Sequence, residues 1–157
     1  MAGHVFAVSV KWTGNKGSGT SGYKDYDRNH VVSSAGKESI AGSADKAFHG
    51  NRSRWNPEEM LIAALSQCHM LSFLHVASAA GVVVEKYSDD ATGTLVLSGD
   101  GGGQMSEVTL RPTIEISSGD ESMMPSLHDR ASELCFIANS VRFPVHHEAH
   151  TVVRPSH

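Results

Sequence analysis

Residues 56–81, NPEEMLIAALSQCHMLSFLHVASAAG, constrain the fold more than any other stretch. Asn56 is a good N-cap, Pro57 suits the first helical position, and Glu59 completes a capping box. Gly81 can adopt the left-handed conformation that ends a helix. Between these signals, Met60, Leu61, Ile62, Leu65, Met70, Leu71, Phe73, Leu74 and Val76, with several alanines, leave almost no polar face. A helix that is apolar all round is buried on every side. Glu58, Glu59, Gln67, His69 and His75 interrupt the 25 residues from Asn56 to Ala80. The unbroken run of about 18 apolar residues expected of a membrane span is therefore missing. In a chain of 157 residues, a helix buried all round points to a second subunit as its cover.

That length suits one domain, 1–157, with a substantial core. A net charge of −4 without any basic run gives no electrostatic footprint for nucleic acid. Met1 leads straight into a strand-like pattern rather than a secretory signal, so the expected compartment is the cytoplasm. Two cysteines in that setting make no disulfide framework and are either redox-active or inert.

Taken in order, residues 4–12 read as a first strand and 13–22 as a Gly, Ser and Thr loop. Residues 23–32 read as extended, with Tyr26, Arg28 and His30 on one face by the two-residue period. Glu38–Ala41 is a weak third strand, and the polar segment 48–55 feeds the long helix. Strands follow at 82–87, 92–98 and 107–117, the last with Pro112 arguing for an edge or a bulge. Leu127, Ala131, Leu134, Cys135 and Ala138 share one helical stripe after Pro125, and Asn139 can end that helix. Residues 143–153 form the last strand. The order predicts an α+β fold, with antiparallel sheets around a long buried central helix.

Cys68 and Cys135 both fall on apolar helix surface, where a free cysteine commonly serves as a small core residue. Their surroundings suggest more. The pattern N-P-E-E-x-L-x-x-A-L-x-x-C-H resembles the OsmC/Ohr family, the osmotically inducible and organic hydroperoxide resistance proteins. So do E-L-C-F-I-A-N-S-V near the C-terminus, the Trp12 to Tyr23 lead-in and the Phe48–Gly50 loop. The resemblance implies an OsmC-like intertwined homodimer and a thiol-dependent peroxidase acting on organic hydroperoxides. It implies no cofactor beyond a dithiol reductant of the lipoyl type. Cys68 matches the peroxidatic cysteine, Cys135 the resolving cysteine, and Glu58 the carboxylate that orients an arginine. Arg28 is the choice for that arginine, with Arg54 and Arg52 as alternatives.

Attack on an O–O bond requires thiolate, and an unassisted cysteine has a pKa of about 8.5. Burial raises that pKa and a nearby cation lowers it, so a buried peroxidatic thiol needs a guanidinium beside it. The cation also stabilises alkoxide on the leaving oxygen. A second thiol then condenses with the sulfenic acid before overoxidation. Glu58 and Cys68 lie ten residues apart, about 15 Å along one continuous helix. With no Gly or Pro between them to break it, Glu58 is expected to serve the partner's thiol.

Ten histidines supply the main rival reading. His146, His147 and His150 cluster near the end, and on a strand His146 and His150 point the same way, so a metal site there is conceivable. No C-x-x-C or H-E-x-x-H spacing supports it, so no metal is assigned. His69 and His30 are either lining residues of the thiol site or satisfied core histidines. A non-catalytic OsmC-like binding or redox-sensing protein is the remaining alternative.

Overall fold

The computed structural model describes residues 2–155, so the two ends of the expected 1–157 domain fall outside it. The chain divides into two compact units, Met1–Met60 and Leu61–His157. The first holds a small antiparallel sheet of β1 (Ser9–Trp12), β2 (His30–Ser33) and β3 (Ile40–Gly42) in that order. Val10 opposes Val32 and Val31 opposes Ala41. The first strand is shorter than the pattern predicts: Val5 and Phe6 are almost fully exposed and lie outside any strand.

The extended segment expected over 23–32 forms only in its later part: residues 23–25 turn, Tyr26 makes an isolated antiparallel bridge with Asn15, and the regular strand starts at His30. The amides of Thr13 and Asp27 donate to the Asn29 and Gly14 carbonyls across this pairing. Gly14 packs against the Asp27 carbonyl so closely that any Cβ would collide with it. The segment before the long helix is pinned the same way. Buried Ser43 accepts the Asn51 amide at 3.0 Å, and Gly50 packs on the backbone of Ala44.

The long helix α1 runs unbroken over Pro57–Ala79. Its capping box forms as the sequence predicts. The Glu59 amide donates to Asn56 Oδ1 at 2.8 Å, and Glu59 Oε2 accepts the Asn56 amide at 3.3 Å. Gly81 follows at φ 76°. In the single chain, however, α1 is not buried all round. Only Leu65, His69, Phe73 and Ala77 are fully buried, one stripe at four-residue steps, while Leu71 remains 61% exposed. By length and mean hydropathy α1 is long and apolar enough to cross a bilayer, although it lacks an unbroken apolar run. Core helices of soluble proteins reach the same length and hydropathy, and 28% of the apolar window of α1 is buried within the single chain.

The second unit contains β4 (Val83–Asp89), β5 (Thr92–Leu97), β6 (Gly103–Leu110), β7 (Pro112–Ser118), α2 (Met124–Leu134), β8 (Val145–His147) and β9 (His150–Val153). They form two three-stranded sheets, β4-β7-β9 and β5-β6-β8. The β4–β7 and β5–β6 pairs are antiparallel, whereas β8 and β9 join in parallel. The fold is thus α+β, as predicted, with mixed rather than purely antiparallel sheets.

Two predicted strands prove to be four. The 107–117 run breaks at Arg111, whose amide is taken by Asp89 Oδ1 at 2.6 Å. Pro112 therefore opens the central strand β7 instead of lying on an edge, in a position where its missing N–H removes no interior ladder bond. The 143–153 run breaks after His147, which sends β8 and β9 to different sheets. Leu65 packs with Val108 and Leu110 in one core cluster. Phe73 and Ala77 pack with Ile114, Ile116, Leu127 and Ala131 in the other. On the α1 stripe, His69 falls between the two clusters.

Candidate active site

The thiol pair lies wholly within the second unit. Cys68 precedes His69 by one residue, about 100° around α1, which takes it off the fully buried stripe and leaves it half-buried. Cys135 is 1% exposed and does not continue the helix as its stripe position suggested. α2 stops at Leu134, and Cys135 caps it in an extended conformation, φ −70° and ψ 109°. That early stop leaves the Cys135 thiol near enough to Cys68 for Cys68 to help raise its pKa. Both cysteines are free.

Burial, with a smaller push from nearby Cys68, raises the Cys135 thiol to about 11. The Ala138 amide, which donates to Cys135 Sγ at 3.4 Å, works in the opposite direction. Cys68 faces a largely apolar pocket of about 400 Å³ with Leu71, Ser72, His75, Leu134 and Phe136. Cys135 lines a smaller cavity of about 160 Å³, together with Leu65, His69, Ser132 and Phe143.

His69, expected beside the thiol, shares that smaller cavity but belongs to an imidazole stack. Its Nε2 meets His128 Nδ1 at 3.0 Å, and both rings are 1% exposed. His147 stacks on both, with ring centroids 5.5 Å and 6.0 Å away, and Phe73 covers His128 at 4.1 Å. Burial is the main force lowering His69 and His128 to about 4, so both rings are neutral at pH 7; the repulsion that protonated neighbours in the stack would exert acts in the same direction. His147 Nδ1 lies 3.1 Å from Ser132 Oγ and its Nε2 3.1 Å from Asp129 Oδ1.

Sequence reasoning missed His128, His147, Ser132 and Asp129 as a group. His128 could have been noticed, since Met124, Leu127, His128 and Ala131 share the buried face of α2. His147 stood out only as one of a terminal cluster. The cluster itself does not form: His146 pairs with Glu107 at 3.6 Å, and His150 starts a strand in the other sheet. Among the described residues, no three His, Cys, Asp or Glu side chains gather as metal ligands.

The first unit holds the other expected residues and brings three of them together. The Arg28 guanidinium donates to the Tyr26 and Tyr23 carbonyls at 2.7 Å each and sits 4.0 Å and 4.5 Å from their ring centroids. His30 Nδ1 contacts the Arg28 carbonyl at 2.9 Å, and Arg54 Nη1 donates to the His30 carbonyl at 3.2 Å. Arg28, His30 and Arg54 therefore form one connected group. Arg52 is exposed, and Glu58 is half-buried in the first turn of α1.

A long helix presenting a cysteine to a second, buried cysteine, on paired small sheets, defines a class of α+β thiol proteins. Residues 49–150 match the family model described as OsmC-like protein, and the chain belongs to that family. An OsmC-like protein of unknown function from Vibrio cholerae O1 biovar eltor is 33% identical, with a TM-score of 0.82 over 95% of this chain and 99% of that one. An organic hydroperoxide resistance protein OsmC from Legionella pneumophila superposes with a TM-score of 0.68 at 20% identity, over 96% and 100% of the two chains. One from Elizabethkingia anophelis gives 0.67 at 20% identity, over 96% and 99%. These last two show the shared fold alone. No curated protein matches the chain.

Proposed function

We propose that the protein is a cysteine-based peroxidase that reduces organic hydroperoxides in the cytoplasm. The observation that carries this reading is the nearness of buried Cys135 to half-buried Cys68, which lines a largely apolar pocket. Cys68 thiolate attacks the distal peroxide oxygen, the O–O bond breaks, and the alcohol leaves with Cys68 as sulfenic acid. Cys135 then attacks the Cys68 sulfur, forming the disulfide and releasing water. A dithiol of the lipoyl type returns both cysteines to thiols. The pocket's largely apolar lining favours alkyl or lipid hydroperoxides over hydrogen peroxide.

In this reading Arg28 supplies the activating cation. Its two carbonyl partners and two aromatic neighbours hold the guanidinium in a fixed orientation, which favours preorganised charge stabilisation. Glu58 acts as its carboxylate, and because α1 is unbroken between Glu58 and Cys68, it serves the thiol of a second chain. The exposed apolar side of α1, including Leu71, is the surface a homodimer would cover.

The test is turnover of cumene hydroperoxide with dithiothreitol. Wild type should consume it faster than hydrogen peroxide, and Cys68→Ser should consume none. A Cys68→Ser variant as active as wild type refutes the mechanism. A wild-type protein without turnover points instead to a binding or redox-sensing member of the family.

A further inference from the structure

Cys135 poses a chemical problem that the thiol pair alone does not solve. It is the buried nucleophile of the second step, yet burial keeps its proton on at neutral pH. Its proton has to leave as the S–S bond forms. The cavity it lines contains one hydroxyl, that of Ser132, one helical turn before it on α2. That hydroxyl leads outward. Ser132 Oγ meets His147 Nδ1 at 3.1 Å, and His147 Nε2 meets Asp129 Oδ1 at 3.1 Å. The Asp129 side chain is 72% exposed, so the chain of contacts runs from the cavity to solvent.

The partners fix the direction of the hydrogen bonds. An ionised carboxylate only accepts, so His147 Nε2 carries the hydrogen and Nδ1 presents its lone pair to the Ser132 hydroxyl. This is the arrangement of a base oriented by a carboxylate and reached through a hydroxyl. The other titratable groups around His147 are His128 on α2 and His69 on α1, and both are neutral rings at pH 7. Neither opposes a positive charge arriving on His147, while Asp129 balances it. The 160 Å³ cavity has room for water between Cys135 and Ser132, with His69 as a further polar wall.

We propose that Ser132, His147 and Asp129 form a proton relay that accepts the Cys135 proton during disulfide formation. Cys135 sulfur attacks Cys68 sulfur, the new S–S bond forms, and the group on Cys68 departs with its bonding pair. The thiol proton passes through the Ser132 hydroxyl to His147. When the leaving group is the hydroxide of a sulfenic acid, the proton is returned to it as water. The inference rests on the two cysteines working as a pair, as in the proposed function, but not on peroxide as the oxidant.

A test without peroxide separates the two readings. Reduced protein receives one equivalent of dithiobis(nitrobenzoate). Cys68 releases a first coloured thiolate, and Cys135 releases a second by attacking the mixed disulfide. Cys135→Ser should give only the first. His147→Gln keeps an acceptor for Ser132 and a donor for Asp129 but cannot take the proton. It should leave the first release unchanged and slow the second about a hundredfold, the scale of general-base assistance. A second release at the wild-type rate in His147→Gln overturns the relay. Should that variant fail to fold, Ser132→Ala must show the same selective slowing, and a wild-type rate there overturns it equally. A His147-dependent second release in a protein that peroxide does not oxidise would refute the peroxidase and leave the relay standing.

Discussion

Acid should destabilise this protein well before its carboxylates are protonated, and the buried imidazole pair sets the size of the effect. His69 and His128 are lowered from 6.5 to about 4, chiefly by burial. Above pH 6.5 the rings are neutral in both folded and unfolded chains, and no stability depends on them. Between 6.5 and 4 the unfolded chain binds a proton at each ring that the folded chain refuses, so stability falls as pH falls. The slope is about 1.4 kcal/mol per pH unit for each ring. At pH 5 this amounts to about 2 kcal/mol for one ring and about 4 for both, against a typical total of about 5–15 kcal/mol. Asp100 and Asp120, lowered by the hydroxyls of Ser98 and Ser122, titrate below 3.8 and stay outside this window. Urea unfolding at pH 7 and pH 5, followed by circular dichroism, measures the loss. His128→Gln retains a polar partner for His69 and removes one titrating ring, so its loss should be about half that of wild type. A wild-type loss below about 1 kcal/mol, or an equal loss in the variant, would refute the reasoning.

Two further outcomes bear on the thiol chemistry. Arg28→Ala should raise the apparent pKa of the Cys68 thiol and slow its reaction with peroxide; if only Arg54→Ala does so, the activating charge comes from the loop before α1. A mixed dimer of Glu58→Ala and Cys68→Ser chains should keep one working site when Glu58 serves its partner. Activity no higher than that of the two parent homodimers would place Glu58 within its own chain or outside the mechanism.

Local signals made the frame of the molecule readable. Asn56, Pro57 and Glu59 at one end of α1 and Gly81 just past the other act on backbone groups within one turn, so their meaning survives any tertiary context. The N-P-E-E…C-H pattern likewise located Cys68 and its family. Strand limits were less legible. The breaks at Arg111 and after His147 depend on which sheet each half joins, and in the first of them Asp89, 22 residues away, holds the turn.

The nearness of the two thiols and the histidine stack were decided by tertiary structure alone. Cys68 and Cys135 are 67 positions apart, and periodicity put Cys135 inside a helix. Only the stop of α2 at Leu134 leaves its thiol near Cys68. The apolar run of α1 did not single out position 69 as inward-facing, nor show that two other imidazoles wait there. A local period marked the buried face of α2, but on α1, apolar all round in sequence, the single chain buries only one stripe. The partner each buried polar group finds is set by packing between distant elements, and here that packing made neutral rings of His69 and His128 and aimed His147 at Ser132.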